Sequence, residues 1–477
     1  MWFTKNKPEY FIGRRELNRT ILLFGLLAGT FFSFGQKSLT LSQAMETGIN
    51  NYQGIQAKRS YLNASTLLVQ DVKNQYLPNL IASIQQDYGT VNGQFGPLLG
   101  FGGLGVASSG PVNTSQNWDA AFGALYLINT NWEFFTFGRT RSRIQLAGAA
   151  VKKDSASLQQ EIFVQQVKIA GAYLNLLAAQ KFVQNADANL QRAIAVQQVI
   201  LARTKTGLNA GVDSSIANAE VSKAKLSLID AKNITDQFSN QLAQLLNMVP
   251  GQFTLDSTFF EKIPAEYNTT YSVEQNPQVK FYQARIDESV VAADYLKKSI
   301  LPGLNLFGIY QTRGSGFGAN YNAANNYPYS KNYFDGIKPV LNNYVAGVAV
   351  AWNIASPYKI KQQVKAQRFV TEAYRNEYDL ISTQLKDQLL LADSRIQNSL
   401  ESVKEVPLQY KASADAFMQK TVLFKNGLTN IVEVQLALYA LNKAETDKCI
   451  AYINVWQALL LKAAASGDID LFRKQVK

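Results

Sequence analysis

The chain contains no histidine and a single cysteine, Cys449. Zinc and copper sites are usually built from clusters of these two residue types. An imidazole general base is excluded outright. Chemistry would therefore have to come from carboxylates, amines and hydroxyls. Glu161, Asp187 and Asp230 stand singly on polar helical stretches, the pattern of solvated faces rather than of paired acid and base groups. No Gly-x-x-x-x-Gly-Lys-Ser/Thr run is present to cradle phosphates. These features predict a protein that is not an enzyme and holds no cofactor or metal. A lone cysteine also cannot close a disulfide within the chain, which suits an oxidising compartment without exploiting it.

Two acids do recur at matched places, because the chain is duplicated. An offset of 220 positions carries Asp213 onto Glu433, Trp132 onto Trp352, and Gly207-Leu208 onto Gly427-Leu428. Upstream the offset becomes 224, which carries Leu77-Pro78 onto Leu301-Pro302. One gap of four residues in one loop reconciles the two values. Self-similarity at a fixed spacing is read before any local feature, because it sets the architecture. Each half reads helix, strand, loop, strand, long helix, turn, helix.

The strands are recognised by alternation. In the first half they are expected at about 79–90 and 118–132, separated by a Gly-rich stretch from Gly93 to Gly105. In the second half they are expected at about 303–313 and 342–354, around a loop at 313–341 rich in Gly, Asn and Tyr. One face of each strand is apolar, with Trp118, Tyr126, Trp132, Tyr344 and Trp352 as candidate lipid-boundary aromatics. The other face is small and polar, as a wet lumen requires. A soluble sandwich would share the apolar face. Four strands cannot close a spanning barrel, since single-chain barrels start at eight. Either the sheet is soluble or several chains share one barrel.

The helices are long. No proline lies between Pro111 and Pro250, and Gly138–Thr206 is rich in Ala, Gln, Leu and Lys. As one helix it would extend roughly 100 Å. The matching stretch, Tyr358–Asn426, is interrupted only by Pro407, read as a kink or a helix restart. Ordinary globular helices rarely pass 25 residues. Both helices stop at glycine, at Gly207 and Gly427, the usual residue beyond a helix C-terminus. Asp213-Ser214-Ser215 then restarts one helix, with Asp or Ser as N-cap.

The N-terminus reads as an export signal over residues 1–35. Arg14, Arg15 and Arg19 precede the apolar run Ile21–Phe32, and Ser33-Phe34-Gly35 supplies small residues at a cleavage site. An uncleaved anchor is the alternative. No later stretch looks like a spanning helix, so a membrane form must cross as a closed barrel. The formal charge is +12. Lys and Arg are dispersed among acids and form no basic block, so nucleic acid is not an expected partner.

With these elements in order, the sequence resembles a TolC-family outer-membrane factor over about 39–466. The likeness rests on the duplicated order, on the paired tips Thr-Gly-Leu-Asn-Ala-Gly-Val-Asp (206–213) and Asn-Gly-Leu-Thr-Asn-Ile-Val-Glu (426–433), on both Leu-Pro strand openings, and on Leu-Asn-Met-Val-Pro-Gly (246–251). The resemblance implies a mainly α fold with membrane β structure: a coiled-coil tunnel on a β-barrel shared by a homotrimer, four strands per chain. It implies a first repeat over 36–250 with its hairpin at 138–249, and a second over 277–466 with its hairpin at 357–466. An equatorial linker at 251–276 would meet the tail at 467–477. The location would be the outer membrane of a Gram-negative bacterium, with a periplasmic extension. The function would be a passive exit duct for efflux or type I secretion. The partners would be outer-membrane lipid, a periplasmic adaptor (membrane fusion) protein, and an inner-membrane pump of the resistance-nodulation-division or ABC type. Adaptor docking would fall on Gly207, Leu208, Gly427 and Leu428, for whose glycines simple helix capping is the alternative. The periplasmic gate would comprise Asp213, Phe424, Glu433 and Leu436, with N-capping as the alternative for Asp213. Where the family carries an Arg in the second tip, this chain has Thr429, and a further acid is replaced by Leu436, which points to a more hydrophobic closure. A structural or adhesive coiled-coil envelope protein is the competing class.

Overall fold

The computed structural model describes residues 39–92, 115–251, 253–260, 262–265, 272–318, 321 and 329–476. The expected export signal and the Gly-rich stretch from Gly93 to Gly105 lie outside the described residues.

The first repeat opens with α1 (Leu41–Asn51) and α2 (Gln53–Asn74), where each half was expected to open with a single helix. Thr40 starts α1 through a capping box, its hydroxyl accepting from Gln43 N while Gln43 Oε1 accepts from Thr40 N. The break falls at Tyr52, which is extended (φ −70°, ψ 118°) and folds its ring against Gly54, where no side chain would fit. Strands β1 (Asn79–Thr90) and β2 (Ala120–Phe135) follow, then α3 (Arg139–Lys205) and α4 (Gly211–Leu246). The second repeat supplies α5 (Pro277–Lys298), β3 (Gly303–Ser315), a short helix α6 (Tyr333–Ile337), β4 (Leu341–Ala351), α7 (Ser356–Lys425) and α8 (Ile431–Ser466). A last turn, α9 (Asp470–Arg473), closes the chain. The offsets seen in sequence hold in space: 224 carries α2 onto α5, and 220 carries α4 onto α8, end to end.

Pro407 neither breaks nor restarts its helix, because α7 runs through it for 70 residues. Proline removes one ladder hydrogen bond. Packing of that turn offsets the loss: Val403 and Val406 are buried against Ala451 and Val455 of α8. Two helices, α3 and α8, contain windows apolar enough for a membrane span, contrary to the expectation that none would. More than half of each window is buried in the protein, so the apolar residues serve helix packing.

The largest core lies where both hairpins meet the linker and the tail. Tyr173, Leu174 and Leu177 of α3, Leu242 and Leu246 of α4, and Trp456 and Leu459 of α8 enclose Phe259 and Phe472. The polar atoms inside are paired: Tyr173 Oη donates to Leu39 O (2.9 Å) and accepts from Asp256 N (3.1 Å). Trp456 Nε1 donates to Phe259 O (2.9 Å). The tail rejoins the linker where Ala265 N donates to Gln475 Oε1 (3.0 Å).

The four strands form one antiparallel sheet in the order β1-β2-β3-β4. Up to the bulge after Glu133, register places the even-numbered strand residues on one face, including Leu80, Ile84, Ile128, Leu306, Val348 and Val350. The odd face carries Gln85, Asp87, Asn129, Gln311, Arg313 and Asn343. Strand limits differ from the expected ones. β2 starts at Ala120, where its partner β1 ends at Thr90, so Trp118 precedes the strand. It continues past Trp132 to Phe135 through a bulge against β3. β4 ends at Ala351, the last partner of Gly303, so Trp352 and Ile354 lie beyond it.

Candidate functional site

Both hairpin tips, far along the chain from the strands, are built by the same cap. Gly207 and Gly427 have φ of +77° and +76°, a backbone region that costs glycine little and other residues more. In the first tip Leu208 N donates to Arg203 O (2.9 Å) and Gly207 N to Thr204 O (3.1 Å). In the second, Leu428 N donates to Leu423 O (2.9 Å) and Gly427 N to Phe424 O (3.0 Å). This is the Schellman pair of bonds, and it accounts fully for the glycines. The leucine beyond the glycine commonly packs back on its helix in this motif. Here Leu208 is 67% exposed and Leu428 73% exposed. Capping explains the glycines and leaves both leucine side chains largely exposed.

The helix restarts differ from expectation. α4 begins at Gly211 with Ala210 as its N-cap, so Asp213 is a first-turn residue and not the cap. Its carboxylate accepts from Asn209 Nδ2 (2.8 Å), and the first-turn position favours negative charge. In the second tip Asn430 caps α8 by accepting from Glu433 N (3.1 Å). Glu433 pairs with Lys420 Nζ at 2.9 Å across its own hairpin. Both side chains are about two-fifths exposed, so the pair adds little stability. Leu436 is 60% exposed one turn further on.

Phe424 is placed elsewhere. It is buried with Ile200, Ala217, Ile431 and Val434 in a small core between the two hairpins. Above its ring sits Arg203, 5.3 Å from the centroid. Sequence reading missed this arginine. Its guanidinium donates to Asn209 Oδ1 (2.8 Å), Phe424 O (3.2 Å) and Lys425 O (2.9 Å). It therefore ties the first tip to the final carbonyls of α7, where a cation is electrostatically favoured. The signal available in sequence was its position in the last turn of a helix ending at Gly207.

At the opposite end, Trp132 and Trp352 perform one duplicated task. Trp132 Nε1 donates to Tyr76 O (2.8 Å) and Trp352 Nε1 to Ile300 O (3.0 Å), each just before a Leu-Pro strand opening. Each indole thus fixes the point where a helix enters the sheet. Trp118 and Tyr344 are exposed. Tyr126 lies mid-strand under α6, its hydroxyl donating to Ile337 O (3.0 Å). Glu161, Asp187 and Asp230 are not gathered into any acidic cluster of the kind that holds a metal among the described residues.

Residues 80–248 match the family described as outer membrane efflux protein. The fold is that of solved outer-membrane channels over nine-tenths of the chain. The outer-membrane channel OprN aligns with a TM-score of 0.70 at 17% identity, covering 90% of this chain and 89% of that one. VceC from Vibrio cholerae aligns with a TM-score of 0.70 at 13% identity, covering 90% and 96%. CusC aligns with a TM-score of 0.71 at 12% identity, covering 90% and 92%. The sequence over 80–248 and the fold over nine-tenths of the chain thus both resemble those of outer-membrane efflux channels. No curated protein sequence matches it significantly.

The likeness is to channels with a helical extension beside a strand sheet. One cysteine stands apart from both tips. Cys449 is buried in α8, and burial pushes its thiol up to about 12. A thiol so held is a packing group, not a nucleophile or a ligand.

Proposed function

We propose that this protein is the passive exit duct of a tripartite pump, assembled as a trimer, with no catalytic activity of its own. The observation that carries the reading is the state of the sheet. Among the described residues, β1 and β4 each have a strand partner on one side only. Long apolar edge strands are a hazard unless another strand covers them. With four antiparallel strands per chain, β4 of one copy runs antiparallel to β1 of the next. Two copies reach the eight strands that closure requires, and three give twelve, the number the family resemblance implies. The even face would meet lipid, and the odd face, with Asp87, Gln311 and Arg313, would line water.

At the far end Leu208 and Leu428 are the contacts for a periplasmic adaptor, held outward by glycine caps that need no help from them. Glu433 and Leu436 lie on the exposed side of the second hairpin, where three-fold repetition would set three carboxylates and three leucines around one axis. A carboxylate ring favours cations. The leucines would narrow the same opening without charge. Phe424 and Arg203 act behind this ring by fixing the two hairpins to each other. Energy comes from the inner-membrane partner.

The test is in-cell photo-crosslinking from position 206 or 426, with captured partners identified by mass spectrometry. Capture of an adaptor with a proton-driven pump assigns small-molecule efflux. Capture of an adaptor with an ATP-driven transporter assigns protein or peptide secretion. Absence of any adaptor, with the protein outside the outer-membrane fraction, refutes the duct.

A further inference from the structure

Residues 329–340, the part of the β3–β4 connection that holds α6, do not stand away from the sheet. They fold back over the even, apolar face near the end where β1 and β2 are joined. Two glycines allow the close approach. A Cβ at Gly336 would run into the Cβ and carbonyl of Phe122. A Cβ at Gly314 would lie 2.6 Å from Gly336 O and 2.7 Å from Lys338 O. Side chains then fasten α6 to two strands, β1 and β2. Tyr126 Oη donates to Ile337 O (3.0 Å), and Tyr333 Oη donates to Gln86 Oε1 of β1 (2.8 Å). The rings of Phe122 and Tyr333 meet edge to face at 5.3 Å. Both ends of the segment are tied as well. Tyr329 Oη donates to Asp119 Oδ1 (2.8 Å), and Val340 N donates to Arg313 O (2.8 Å).

This segment has an unpartnered apolar surface of its own. Phe334 is 72% exposed, and Tyr333 stays partly exposed although it packs on Phe122. Lys331 and Lys338 bracket the helix. Lys331 lies 5.5 Å over the Tyr329 ring, and the nearby acid Asp335 accepts from Ser330 Oγ. From Phe122 to Trp132 along β2 is ten positions. At ~3.3 Å per residue and a tilt of ~40°, that rises roughly 25 Å, the height of the apolar band of an outer-membrane barrel. Trp132 and Trp352 mark one boundary, so α6 falls at the other.

We propose that α6 is a membrane-contacting strap, worn on the outside of the barrel, whose Tyr333 and Phe334 meet lipid at the boundary between acyl chains and headgroups of the outer leaflet. The proposal rests on the reading that the even face meets lipid. Aromatic side chains suit that boundary, where one end is apolar and the other wet. The flanking lysines extend their amines to the headgroups while their stems stay on the apolar side. The β3–β4 connection is thus committed to the bilayer rather than to closing the exit.

The test places a nitroxide at Phe334→Cys and, separately, at Val348→Cys, each in a Cys449→Ala background. Val348 lies on the even face of β4 and is exposed in the single chain. The full chain is reconstituted in vesicles of phosphatidylethanolamine and phosphatidylglycerol, and collision with oxygen is compared with collision with a water-soluble nickel chelate. The strap requires both labels to be oxygen-accessible and nickel-protected, with position 334 shallower than 348. Protection at 348 with full nickel access at 334 overturns the strap and leaves the barrel intact. Nickel access at both positions overturns the lipid-facing sheet, and the strap with it.

Discussion

Replacing Leu208 and Leu428 together with serine should separate docking from folding. The two side chains are 67% and 73% exposed in the chain, and neither contributes to a core cluster. Surface substitutions away from caps and cores usually change stability by less than about 0.5 kcal/mol. The caps would survive, because their bonds run through the backbone of these residues. Docking is a different matter. Fully burying a leucine side chain is worth about 1.5–3 kcal/mol, and about two-thirds of each remains to be buried. The pair should therefore contribute about 2–4 kcal/mol per protomer to an adaptor interface. That corresponds to roughly 30- to 700-fold in affinity. The assay is adaptor binding to purified duct, alongside thermal melting and drug susceptibility of cells carrying the variant. The expected result is lost binding and lost resistance at unchanged melting temperature. Unchanged binding with unchanged melting would refute the assignment of these leucines. A large drop in melting would show that they serve the tip itself.

Leu436→Asp should add three carboxylates to the gate ring and raise cation conductance in planar bilayers; unchanged conductance and unchanged antibiotic passage would sink the apolar closure. Trp132→Phe and Trp352→Phe each remove one hydrogen bond at a strand entry, and each should lower stability by about 0.5–1.5 kcal/mol in denaturant titration. Cys449 should resist maleimide at pH 8 in the folded protein and label fully after denaturation, since burial holds its thiol up at about 12. Asp119 should stay ionised below the ordinary carboxylate range, chiefly because the Tyr329 hydroxyl donates to it, against burial and with help from Tyr321, Asn117 and Lys331. A lowered folded value means that this tie is fully present above the unfolded value of about 3.9 and is lost as pH falls through the folded one. Protease access to the β3–β4 connection should thus stay constant from pH 7 down to about pH 4 and rise below that. In Asp119→Asn it should already be raised at pH 7.

The large elements were legible because they follow long-range periodicity. Seventy residues without a turn cluster can only be a long helix, and duplication doubled the signal at each boundary. At Pro407 a restart was left open beside a kink, because the local rule for proline ignores what the turn packs on. The packing of Val403 and Val406 on α8 cannot be read from α7 alone. The strand faces were legible from alternation. Tyr126 was not, because an alternating tyrosine looks the same whether its hydroxyl meets lipid headgroups or a carbonyl of a loop more than 200 positions away. Phe424 was assigned by its place before a tip. Its burial depends on which way the neighbouring hairpin leans, and Arg203 in that hairpin decides it.

The two tips also show how duplication parts company with function. The offset of 220 sets Ile200 opposite Lys420, Arg203 opposite Leu423, Ala210 opposite Asn430 and Ile216 opposite Leu436. Both copies keep the glycine, its cap bonds and the exposed leucine, so whatever grips the tips meets the same shape twice. Behind that shared shape the chemistry is exchanged. The first hairpin buries Ile200 completely and spends its cation, Arg203, on carbonyls of the second. The second sets Lys420 against Glu433 on a half-exposed surface. One hairpin thereby braces the other, which keeps its charge pair near the surface. A duct built of identical hairpins would have to open all of them alike. On the proposed trimer, the asymmetry would let docking act evenly on six tips while only three carried the proposed gate.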